Sequence, residues 1–109
     1  MTADVRYCRA TTDTIREFIN RLATYCGQPL EWRAHDSKTP TLIVECATIG
    51  DARMWSLAFC ADLGHWREAD LVDIQRRVAS SFASWFGWHV MIHASEPLNV
   101  PAVAELVAL

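Results

Sequence analysis

The sequence predicts an α+β fold, a two-layer sandwich with helices on one face of a mainly antiparallel sheet. Three observations indicate this class. Apolar residues recur at helical intervals near the start of the chain, later segments alternate apolar and polar residues, and glycine or proline separates the segments. The predicted element order is (β)αβββαβα. The length of 109 residues fits a single domain, 1–109, because a second domain would leave neither half a sufficient core.

The first helix is predicted over residues 13–26. Thr14 and Glu17 have the spacing of a capping box, and Gly27 suits the left-handed position just past a helix end. One apolar stripe runs along this segment: Ile15, Phe18, Ile19, Leu22 and Cys26. The residues before it, 5–9, allow a preceding strand.

A three-stranded meander is predicted next, over 30–35, 41–49 and 52–60. Pairing Ile49 with Ala52 across a Gly50-Asp51 turn sets a register that places six residues on one core face: Leu42, Val44, Cys46, Trp55, Leu57 and Phe59. A helix over 51–63 is the competing interpretation. It leaves apolar residues on almost every side, so the strand is preferred.

A long helix is predicted over 66–86 and ends at Gly87. Its apolar stripe consists of Leu71, Ile74, Val78, Phe82 and Trp85. A strand over 88–94 follows, because apolar and polar residues alternate there again. A short closing helix over 102–109 completes the prediction.

Composition argues against several classes of function. The net charge is −3 with mixed signs, which predicts no nucleic-acid partner. No apolar run is long enough to cross a bilayer, and the first residues lack a secretory signal. We therefore expect a cytoplasmic location, in a bacterial cell or in its host's cytoplasm if a phage encodes the chain. All four glycines are explained as turns or helix ends, so no phosphate loop and no cofactor is predicted.

Two groups of reactive side chains are candidates for a chemical site. His89 and His93 share a face of a predicted strand about 13 Å apart, too far for one metal ion. Cys60, Asp62 and His65 could supply a thiol and its base, although catalytic groups usually converge from distant segments. No metal site and no catalytic residue are predicted, and a thiol enzyme using Cys60 and His65 remains an alternative.

Tryptophan and arginine are the unusual residues of this sequence. It contains five tryptophans, and nine of its ten basic residues are arginine. Protein interfaces concentrate both residue types. The predicted protein-binding surface consists of Trp66, Arg67, Trp88, Arg76 and Arg77. A tryptophan-rich core in a genome biased toward arginine codons is the alternative explanation.

Two segments of the chain resemble the class I chaperones of type III secretion. They are the first helix together with the residues that follow it, Gly27-Gln28-Pro29-Leu30-Glu31-Trp32, and the segment 98–107. The resemblance covers most of the chain as a pattern. It departs from that family after the long helix, where one strand is predicted in place of a hairpin. The resemblance implies an acidic dimer whose partner segments wrap over the sheet and helix surface.

The predicted function is a non-catalytic protein-binding module of chaperone or adaptor type. It would act through the aromatic and arginine surface, with a possible homodimer through the 66–86 helix. A small phage or mobile-element inhibitor of a host complex, of the anti-CRISPR type, is an alternative from another class. Compactness and the lack of reactive motifs suit both.

Overall fold

Two α-helices and a five-stranded mixed sheet confirm the predicted α+β class. The computed structural model describes residues 9–59 and 65–98. In chain order the elements are α1 (Thr12–Cys26), β1 (Glu31–His35), β2 (Thr41–Cys46), α2 (Ile49–Ala58), β3 (Arg67–Leu71), a 3-10 turn (Val72–Ile74), β4 (Arg76–Trp85) and β5 (Trp88–Pro97). The predicted closing helix, 102–109, lies outside the described residues, as does all but the last residue of the strand allowed over 5–9.

The strand order in the sheet is β1-β2-β5-β4-β3. Neighbouring strands are antiparallel except β2 and β5, which run parallel and pair Val44 with Ile92. Parallel neighbours need a long connection, and here it contains α2 and the β3–β4 hairpin. The sheet is therefore mainly antiparallel, as predicted, with the first two strands and the last three joined through one parallel pair.

The helices cover one face of the sheet. α2 packs on β2, β4 and β5, and α1 packs on α2. Alternate residues of the three central strands point into this layer, and most of those on β2 and β5 are fully buried: Leu42, Val44, Cys46, Trp88, Val90, Ile92 and Ala94. Phe18, Phe59 and Trp85 meet in the aromatic part of the core, with ring centroids 4.7–5.3 Å apart.

The predictions for α1, β1, β2 and β5 are confirmed with small changes of boundary. Thr11 caps α1, since its side chain accepts a hydrogen bond from the amide of Thr14. Gly27 follows with φ 92°, in the left-handed region, and a Cβ there would overlap the carboxylate of Asp51. Both the backbone conformation and the close approach of α2 therefore require glycine at this position.

The predicted strand over 52–60 is wrong, because residues 52–58 belong to α2, a helix that starts at Ile49 and ends at Ala58. Thr48 caps the helix by accepting a hydrogen bond from the amide of Asp51. The predicted hairpin register is wrong with it, since β2 pairs with β1 and β5 instead. The helix is stable here because it packs against both α1 and the sheet, which bury Ile49, Ala52 and Trp55. Two of its apolar side chains, Met54 and Leu57, stay about half exposed.

The predicted helix over 66–86 is also wrong. Residues 67–71 and 76–85 form the antiparallel hairpin β3–β4, joined through the 3-10 turn and Gln75 in a left-handed conformation. The helical stripe combined residues from both faces of β4: Val78 and Phe82 lie on the face away from the helices, and Trp85 on the face toward them. The true period of two was hidden because the inner positions hold Ala79, Ser81 and Ala83.

A buried hydroxyl pair joins α2 to β4. Ser56 donates to the carbonyl of Ala52 at 2.8 Å, and its oxygen lies 2.6 Å from that of Ser81. Because the Ser56 proton is used on Ala52, Ser81 must be the donor in the pair.

We expect Ser56→Ala to lower the free energy of unfolding by about 1–3 kcal/mol, because it leaves the buried Ser81 proton without its acceptor. Ser81→Ala should cost less, since Ser56 keeps its bond to Ala52. Urea unfolding of both variants and of the double variant checks this. Equal and additive losses would contradict the assigned donor.

Candidate functional site: the open face of the sheet

The face of the sheet turned away from α1 and α2, called the open face below, is the candidate functional site. No helix among the described residues packs on it. Strand register aligns its side chains in rows across the sheet. The charged row runs Arg67, Ser80, His93, Glu45 and Glu31, from β3 to β1.

The neighbouring row is apolar and is called the apolar row below. It consists of Phe82 on β4, Met91 on β5 and Ile43 on β2, which are direct register neighbours. Phe82 is 47% exposed, and the other two are partly exposed. Three large apolar side chains in line on a solvent-facing sheet surface are typical of a contact surface for another molecule.

A pocket of about 530 Å³ opens beside the charged row. Its lining comes mainly from the start of β3, the first half of β4 and the last part of β5. Its apolar lining comes from Leu30, Ala69, Val78 and neighbouring small residues. Its polar lining consists of Glu45, Arg67, Glu68, Arg76, Ser80, His93 and Ser95. Both the volume and the mixture of an apolar wall with a few polar groups are typical of binding pockets.

The two carboxylates in the lining are each matched by an arginine. Glu45 accepts from Arg33 at 3.1 Å. Glu68 accepts from Arg53 at 3.3 Å and from the indole nitrogen of Trp66 at 2.8 Å. Arg53 also stacks over the Trp66 ring, 5.3 Å from its centroid.

The guanidinium of Arg76 is held by neutral groups. Its Nε and Nη2 donate to the hydroxyl and the carbonyl of Ser95, at 2.9 and 2.6 Å. No ion pair among the described residues includes Arg76. The pocket therefore contains an oriented cation whose charge no described carboxylate within ion-pair distance balances.

The structure brings together two of the five predicted interface residues, since Arg67 and Arg76 both line the pocket. Trp66, just before β3, is half-buried against the core instead, where Arg53 of α2 stacks on its ring. Arg77 points the other way: it pairs with Asp70 at 2.7 Å. This bonded guanidinium holds the pKa of the Asp70 carboxyl below its usual value.

Trp88 is placed in the core and not on the surface. Its side chain is 1% exposed, and its indole nitrogen donates to the carbonyl of Ala10 at 2.7 Å. The prediction that Trp88 lies on the protein-binding surface is therefore wrong. The residue closes the core at the β4–β5 turn, where the amide of Ala10 also donates to the carbonyl of Phe86.

The residues weighed for chemistry stay apart or lie outside the described ranges. His89 and His93 do share the open face on β5, and no group of three His, Cys, Asp or Glu among the described residues is placed to hold a metal ion. The Nε2 atom of His93 is buried, and no described residue forms a hydrogen bond with it. Cys60 and Asp62 lie outside the described residues, whereas His65 is exposed just before β3.

Two described cysteines are buried in the helix-covered layer. Cys46 lies on β2 and Cys26 at the end of α1. Burial, reinforced by the charge of Asp51, raises the pKa of the Cys46 thiol to about 12 and raises that of Cys26 as well. Both thiols are protonated at neutral pH, which is the opposite of a catalytic cysteine.

Sequence reasoning missed the apolar row and the partners of the arginines. It assigned Phe82 to a buried helical stripe and gave Met91 and Ile43 no role. The usable signal was the alternation over 88–94: once one face of that strand is the core, His89, Met91 and His93 must share the other. Only pairing across strands aligns them with Ile43 and Phe82.

No known protein family, curated protein or solved structure matches this chain. Within the ranges that the structure describes, neither helix is long and apolar enough to cross a membrane.

Proposed function

We propose that this chain is a non-catalytic protein-binding module, chaperone- or adaptor-like, which holds an extended segment of another protein on the open face. The observation that carries this proposal is the apolar row of Phe82, Met91 and Ile43, uncovered by any described element. Two strand spacings separate its ends, about 10 Å, so four residues of an extended segment span it.

The composition of the open face supports a protein partner. Phenylalanine, methionine and arginine are enriched at protein interfaces, and here Arg33 is the register neighbour of Ile43 while Arg67 lies in the adjacent charged row. An extended segment alternates its side chains, so those facing the sheet can be apolar while the others stay in water.

A homodimer remains part of the proposal only in altered form. Its expected contact was a helix over 66–86, and those residues form the β3–β4 hairpin. Any self-association that accompanies the proposed function would therefore use neither that helix nor the open face, which the partner segment occupies.

The proposal is tested by selecting linear peptides from a random library on the purified chain and measuring their affinities by fluorescence anisotropy. We expect peptides with apolar residues at alternate positions, and a loss of at least about tenfold in affinity on Phe82→Ser. Leu57→Ser on α2 is the matched control, since Leu57 is 51% exposed, close to the 47% of Phe82, but lies in the helical layer. It should leave affinity unchanged.

Two outcomes contradict the proposal. One is equal weakening by both substitutions, or the selection of no peptide. The other is a wild-type dimer that Phe82→Ser converts to a monomer, as measured by light scattering, because that result places a second copy of the chain on the open face.

A further inference from the structure

We infer that the pocket on the open face takes a carboxylate of the docked segment, from a glutamate or aspartate flanked by apolar residues. This inference rests on the proposed function, because the pocket adjoins the apolar row that would hold the rest of the segment. It adds the chemistry that selects the partner: one acidic residue at a defined distance from an apolar stretch.

The charges of the pocket lining favour an anion. The two carboxylates of the pocket lining, Glu45 and Glu68, already have arginine partners that lie outside the lining, Arg33 and Arg53. Arg76 of the lining donates to Ser95, and within the described part of the chain it has no carboxylate partner. The carboxylates of the lining have arginine partners, whereas no described carboxylate pairs with Arg76, so the pocket favours an incoming anion.

The guanidinium of Arg76 is already oriented to bind a carboxylate. The Arg76 guanidinium is fixed by two hydrogen bonds, one from Nε and one from Nη2, and a guanidinium carries five N–H donors in a planar fork. The remaining donors match the two oxygens of a carboxylate. Because the group is already ordered by Ser95, little side-chain entropy is lost when it binds.

The rest of the lining fits the flanking residues. Leu30, Ala69 and Val78 supply apolar wall, while Ser80 and His93 lie next to each other in the charged row. The buried Nε2 of His93 has no hydrogen-bond partner among residues 9–59 and 65–98, so this part of the charged row can still bond to a bound segment. A lysine or arginine at this point of the segment would meet the charge of Arg76 and is disfavoured.

The contrast with Arg77 makes the inference testable. Arg76 and Arg77 are adjacent in the chain and identical in chemistry. Arg76 faces the pocket, whereas Arg77 is bound by Asp70 through Nε and Nη2 at 2.7 and 3.3 Å. Arg77→Gln is therefore the matched control for Arg76→Gln.

The experiment uses a peptide selected on the wild-type chain and the same peptide with its acidic residue changed to the amide. We expect the amide peptide to bind about tenfold to a hundredfold more weakly, the loss typical of a charge-assisted hydrogen bond. Arg76→Gln should weaken the acidic peptide by a similar factor and the amide peptide hardly at all. Arg76→Lys should restore part of the affinity, and Arg77→Gln should change neither.

The outcomes separate the two proposals. If affinity depends on Phe82 but the acid-to-amide change has no effect, the open face docks peptides and the carboxylate inference is overturned. If Arg77→Gln weakens the acidic peptide as much as Arg76→Gln does, the inference is overturned as well. If no peptide depends on Phe82, the proposed function itself fails. Should Arg76→Gln not fold, the peptide pair on the wild-type chain decides the question.

Discussion

Replacement of Trp88 by alanine is expected to lower the free energy of unfolding by about 3–5 kcal/mol, the usual cost of removing a fully buried large aromatic side chain. The indole is 1% exposed and fills the core beside Trp85, its partner in the β4–β5 register. The variant also deprives the Ala10 carbonyl of its donor. Since domains of this size are stable by about 5–15 kcal/mol, the variant should be close to unfolding.

Two further variants make the Trp88 result specific. Trp88→Phe keeps most of the apolar volume and removes the hydrogen bond to Ala10, so it should cost less than Trp88→Ala. Trp66→Ala should also cost less, because Trp66 is only partly buried. Urea unfolding followed by circular dichroism measures all three. A Trp88→Ala protein as stable as the wild type would show that this side chain lies on the surface.

The second large effect is expected at alkaline pH and comes from Cys46. Its thiol has a pKa of about 12 in the folded protein, against an ordinary value of 9.0, because burial and the charge of Asp51 disfavour the thiolate. Above pH 9 the unfolded chain loses this proton while the folded chain keeps it. The contribution of this thiol to the free energy of unfolding is therefore fully present below pH 9. It is lost as pH rises toward 12, at up to about 1.4 kcal/mol per pH unit.

The measurement is the free energy of unfolding between pH 8 and pH 11, for the wild type and for Cys46→Ala. The variant is less stable at every pH because it leaves a small cavity, so the slopes are compared and not the absolute values. We expect a shallower slope for Cys46→Ala. Cys26, whose pKa is also raised, contributes in the same direction and remains present in both proteins. Identical slopes would show that Cys46 titrates normally in the folded protein.

The parts of the fold that local sequence predicted are those in which one signal dominates. α1 has a capping threonine, a single apolar stripe and a glycine where φ is 92°. β5 alternates clearly, with Trp88, Val90, Ile92 and Ala94 buried in turn. In these segments propensity, periodicity and the eventual environment all favour the same structure.

The candidate site was predicted less well, for a different reason. Arg67 and Arg76 were identified by residue type, and both line the pocket. Their significance depends on which carboxylates they meet, and that is set by strands far apart in the chain. Glu45 is matched by Arg33 on β1, while Arg77, next to Arg76, is matched by Asp70 on β3.

The sequence by itself determined the α+β class, α1, β1, β2 and β5, because each of these carries a local periodicity that only one element satisfies. Tertiary structure alone decided α2 and the β3–β4 hairpin. α2 is apolar on nearly all sides, so its own sequence does not show which side is buried; packing against α1 and the sheet buries Ala52 and Trp55 and leaves Leu57 about half exposed. β4 has small residues on its inner face because α2 packs closely there, so a strand without an apolar alternation was mistaken for a helix.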